Sequence, residues 1–69
     1  MTISEIRACA KLMLSVQDIA PVIGSDPQTI RLTALMHPER IGFPFTFSGN
    51  RMRIPREAFL RWFDGVMTG

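Results

Sequence analysis

Apolar residues recur along the chain in two rhythms. Ile3, Ile6, Ala10 and Met13 stand at helical spacing, with Cys9 beside them. Thr2-Ile3-Ser4-Glu5 fits a capping box, with Thr2 as N-cap and Glu5 reaching back. Together they predict an amphipathic helix over 3–13. Ser15-Val16-Gln17-Asp18 is a second cap signal, and Ile19, Ala20, Val22 and Ile23 follow as an apolar side. Gly24 ends that helix, as glycine does in a left-handed C-terminal position. Asp26 then caps a third helix, with Pro27 at its first position, where a missing N–H is harmless. Pro38 stops it near His37. Only Gly24–Asp26 separates the two helices. A turn that short forces a sharp crossing, so 15–37 reads as a helix-turn-helix.

The rhythm next becomes alternating. If Gly49-Asn50 is a two-residue turn at positive φ, Ser48 faces Arg51, Phe47 faces Met52, Thr46 faces Arg53 and Phe45 faces Ile54. Every apolar residue then meets an apolar partner, and Thr46, Ser48, Arg51 and Arg53 share the other face. A slip of one residue would destroy the match. A hairpin over 44–54 follows. Pro55 opens a last helix over 55–64, with Phe59, Trp62, Phe63 and Val66 along one stripe and Gly65 at its end.

The elements make an α+β, mostly helical single domain over 1–69. A chain of 69 residues buries only about 60% of its unfolded surface, so its core must be used well. One cysteine excludes an internal disulfide and points to a reducing, cytoplasmic setting. No apolar run is long enough to span a membrane, and the N-terminal residues lack the order of a signal peptide. Net charge is +2, but its distribution changes the picture. Residues 1–27 carry two bases against three acids, whereas residues 28–69 carry six arginines against Glu39, Glu57 and Asp64. Arginine's rigid fork suits phosphates and guanine edges better than a lysine does.

Enzyme chemistry is not expected. Cys9 belongs to an apolar stripe, where it serves as a small hydrophobe. His37 lies at a helix end, where a partly cationic ring favours the dipole. No Cys/His spacing suits zinc, and no Gly-rich loop follows a strand, so neither metal nor cofactor is expected.

The stretches LSVQDIAPVIGSDPQTIR and GNRMRIPREAFLRWF resemble the excisionase family of phages and transposons, within the wider MerR-like group. The resemblance covers about residues 14–63. It implies a winged helix-turn-helix with a two-stranded hairpin wing, to which helix 3–13 is an N-terminal addition. It also implies a DNA-binding protein of a mobile element, an accessory factor in recombination or a small transcription regulator. The implied partners are double-stranded DNA, a recombinase, and further copies of the protein on DNA. Pro21 departs from the pattern by standing inside the first motif helix. Leu32 and Leu35 depart from it where basic or polar residues are usual.

With Ile30 set toward the core, Gln28, Arg31, Leu32 and Leu35 point away from it. Gln28 suits a base edge, adenine being the usual match, and Arg31 suits guanine or phosphate. Thr29 and the backbone N–H groups at the helix start suit a phosphate. Thr46, Ser48, Asn50, Arg51 and Arg53 give the hairpin a basic polar side fit for a DNA backbone or a narrow minor groove. Solvated surface and edge protection are the plainer accounts of the same residues. Leu32, Leu35 and Met36 are expected to lie under the N-terminal helix; a thymine methyl or a protein partner is the alternative. A protein-interaction module that has lost DNA binding is the second functional expectation.

Overall fold

The computed structural model describes residues 1–68. Its elements are helix α1 (Ile3–Ala8), strand β1 (Met13–Ser15), helices α2 (Val16–Ile23) and α3 (Pro27–Met36), a 3₁₀ turn (Pro38–Arg40), strands β2 (Thr46–Ser48) and β3 (Arg51–Pro55), and helix α4 (Arg56–Thr68). The chain is α+β and mostly helical, with one antiparallel sheet of order β1-β3-β2.

α1 begins with the expected capping box. Glu5 N–H donates to Thr2 Oγ1 at 3.2 Å, and Thr2 N–H donates to Glu5 Oε1 at 2.8 Å. It ends well before position 13, because Cys9 is already extended and Met13–Ser15 is a strand. Arg56 supplies the reason. Its Nη1 donates to the carbonyls of Ile6 and Arg7, both at 3.4 Å, and its Nε to that of Lys11 at 2.9 Å. Its backbone N–H takes the Leu12 carbonyl at 3.0 Å. Two of the carbonyls that a longer helix would satisfy internally are thus held by the start of α4.

The strand that replaces the helix pairs with β3, matching Met13 to Pro55, Leu14 to Ile54 and Ser15 to Arg53. On the other side of β3 the hairpin has the expected register, with Thr46 opposite Arg53, Phe47 opposite Met52 and Ser48 opposite Arg51. Its ladder is shorter than 44–54, and the hairpin is two strands of a three-stranded sheet rather than a free ribbon. Gly49 has φ 62°, but no non-glycine residue among those described has positive φ, so Asn50 does not share it. Glycine at the first central position alone is the pattern of a type II′ turn.

α2 and α3 sit where the caps put them. Gly24 is left-handed at φ 73°, and the N–H groups of Gly24 and Ser25 both donate to the Ala20 carbonyl. α2 runs on through Pro21. The bond that Pro21 cannot give would have gone to Gln17, and both residues are exposed, so the loss falls on the solvent side of the helix. α4 starts one residue after Pro55, which closes β3, and passes through Gly65 to Thr68. A glycine penalty of about 1 kcal/mol is too small to end a helix whose hydrogen bonds continue. Val66, expected on the buried stripe, is exposed.

The core joins Ile6, Leu14, Val16, Ile19, Ile30, Met52, Ile54 and Phe59. Phe43 meets Phe59 and Trp62 edge-on at 5.1 and 5.0 Å. The Trp62 indole lies so close over Gly42 that a Cβ there would overlap its Nε1. Among the described residues no helix is long and apolar enough to cross a membrane.

Candidate nucleic-acid interface

The sheet has two unlike faces because side chains alternate along a strand. Leu14, Met52 and Ile54 are buried beneath it. Ser15, Arg53 and Thr46 form a row across the exposed face, one from each strand, and Arg51 and Ser48 form the next row.

A groove of about 800 Å³ lies between this face, the β1–α2 junction and α3. Arg51 and Arg53 line it from β3, Arg31 from α3 and Lys11 from the segment before β1. Among the described residues, Asp18 is the one acid of that lining. Asp18 is already engaged. The Ser15 N–H donates to its Oδ2 at 3.0 Å, and Lys11 Nζ stands 3.5 Å away. Partial burial pushes the Asp18 carboxyl up, but the Ser15 backbone and hydroxyl and the Lys11 ammonium together hold it below its ordinary value. It therefore stays ionised at neutral pH and offsets Lys11, leaving three arginines as the excess charge of the groove.

Arg31 is half-buried, with its Nε out of reach of solvent and its Nη1 donating to Gln28 Oε1 at 3.4 Å. The structure thus brings Arg31, Arg51 and Arg53 around one concavity, with Gln28 attached through Arg31. Thr46 and Ser48 lie one strand beyond, on the same face, and Asn50 is exposed at the turn. Thr29 is separate. It lines a smaller hollow of about 200 Å³, with Arg40 and Trp62, between α3 and α4. The helix start is also less open than expected, because the N–H groups of Gln28 and Thr29 both donate to Asp26 Oδ2, at 3.0 and 3.3 Å. A capping carboxylate that uses those donors leaves them unavailable to a phosphate.

The N-terminal helix does not cover Leu32, Leu35 and Met36, which are 47%, 60% and 71% exposed. It docks on α4 instead. Arg7 forms a bidentate ion pair with Asp64, which raises the arginine and holds the carboxyl below its ordinary value. No residue of α1 lines the groove. Two contributors escaped the sequence reading. Lys11 falls inside the expected helix 3–13, and Arg56, which anchors the backbone, enters the charge balance as one arginine among six. An arginine that opens a helix directly after a strand is the only signal for the second.

Searches against protein-family models, curated proteins and solved structures find no match to this chain.

Proposed function

We propose that this protein is a small winged helix-turn-helix DNA-binding protein, an excisionase-like accessory factor or regulator of a mobile element. In this reading α2 and α3 are the helix-turn-helix and the β2–β3 hairpin is the wing. The observation that carries it is the single concave surface holding Arg31, Arg51 and Arg53, left open by the N-terminal helix. The Arg51 and Arg53 forks on the sheet wall suit a phosphodiester strand, Thr46 and Ser48 extend the polar contact along the wing, and Arg31 on the α3 wall stands beside Gln28. The exposed face of α3, from Gln28 to Leu35, is then free to meet base edges. Three or four phosphate contacts give weak binding to a single site, so neighbouring copies or a recombinase on the same DNA would raise the affinity.

Titrating labelled duplex DNA at low and moderate salt tests this. Binding at low salt that weakens with a log–log slope of about −3 is expected. No binding at low salt rejects the proposal.

A second reading rests on Leu32, Leu35 and Met36, an apolar set left exposed among the described residues. On that reading the same fold is a protein-interaction module. Chemical-shift changes at Leu32 and Leu35 with protein concentration, and none with DNA, would favour it.

A further inference from the structure

We infer that Gln28 and Arg31 act as one donor unit that selects guanine over adenine; this rests on the DNA-binding reading and adds a base preference to it. Glutamine alone is matched to adenine, because its carbonyl accepts from the N6 amine while its amide donates to N7. Gln28 is not alone. One turn along α3, Arg31 Nη1 donates to Gln28 Oε1 at 3.4 Å. Arginine has no acceptor, so the amide oxygen must be the atom that faces it. While that contact is made, the amide N–H₂ is turned away from the arginine.

The charge of Arg31 reinforces the choice. An adenine N6 amine approaching the remaining lone pair of Oε1 would be brought up against the guanidinium. Guanine has no such conflict, since its N7 and O6 are both acceptors. The Gln28 amide and Arg31 Nη2 are then the donors offered to one acceptor edge. Arg31 is half-buried, with its Nε shielded from solvent and without a hydrogen-bond partner inside the protein, whereas Gln28 is exposed.

The test is selection from a random-sequence duplex library at about 50 mM salt, with the wild type, Gln28→Ala and Arg31→Ala. The expected site contains a guanine whose preference is relaxed by both substitutions at the same position. Replacing that guanine by 7-deazaguanine should weaken wild-type binding about ten-fold or more. The base analogue needs no variant, so it stands even where a substitution affects folding. An adenine at that position overturns the inference, as do substitutions that relax different positions, or 7-deazaguanine without effect. Binding without any sequence preference also overturns it while leaving the DNA-binding reading in place. No duplex bound at all overturns both.

Discussion

Ser15 lies directly opposite Arg53 across the β1–β3 ladder. The same serine caps α2 through its contacts with Asp18. One residue therefore ties the start of α2 to the basic face of the sheet. Because β3 is the central strand, the position of Arg53 relative to α2 is set by backbone pairing on both sides. A hairpin whose inner strand is paired on both sides has less freedom to lose on binding than a free ribbon.

That arrangement sets the first expectation. Arg51→Ala and Arg53→Ala should each weaken duplex binding and reduce the salt slope by about one. Arg61→Ala, exposed on α4 and outside the groove lining, should leave both unchanged. Fluorescence anisotropy across a salt series measures this.

Arg56 should behave in the opposite way. Its guanidinium holds three backbone carbonyls, two in α1 and one just before β1. Arg56→Ala is expected to destabilise the fold by about 1–3 kcal/mol, the range for hydrogen bonds from a charged donor. Thermal unfolding followed by circular dichroism should show a midpoint lower by several degrees. Measured well below that midpoint, DNA affinity should change less than in Arg53→Ala.

Gly42 is required by a neighbour rather than by its backbone. A Cβ at that position would overlap Trp62 Nε1 and lie 3.1 Å from Cε2. The indole is wedged between Phe43 and Phe59, with ring centroids 5.0 and 5.6 Å away. Gly42→Ala should therefore lower stability by about 1–3 kcal/mol through overpacking, and a shifted tryptophan emission would mark the displaced ring. An unchanged melt and spectrum would count against this packing.

Stability should also fall in acid. The carboxyls of Asp18, Glu5 and Asp64 are all held below their ordinary values, the last two by hydrogen bonds from Thr2 and Arg7. A carboxyl whose pKa is lower folded than unfolded stabilises fully above the unfolded value, about 4, and loses that contribution as pH falls through the folded value. Denaturant midpoints measured from pH 6 to pH 2 should decline through this window. Asp18→Asn should be less stable at pH 6 and show a shallower decline.

Several elements were legible because their causes are local. The caps at Thr2, Ser15 and Asp26 act within three residues, as does the left-handed Gly24, and they place the starts of α1, α2 and α3 and the turn between α2 and α3. The hairpin register was legible because only one pairing of residues 46–48 with 51–53 puts Met52 inside and both arginines outside. The arrangement of Arg51 and Arg53 on one face follows from that alternation alone.

What the tertiary structure decided depends on contacts between distant parts of the chain. Residues 9–12 include good helix formers, yet Arg56, more than forty positions away, takes the carbonyls that would have continued α1. Met13–Ser15 is too short to announce a strand and becomes one only because β3 offers a free edge. The same pairing brings Lys11 and Asp18 to the groove and turns α1 toward Asp64, leaving Leu32, Leu35 and Met36 uncovered. Side-chain periodicity and capping are properties of neighbouring residues and can be read in order. Which edge is paired, and which face is left open, is a competition among distant surfaces for the same hydrogen bonds and the same apolar area, and only the folded chain resolves it.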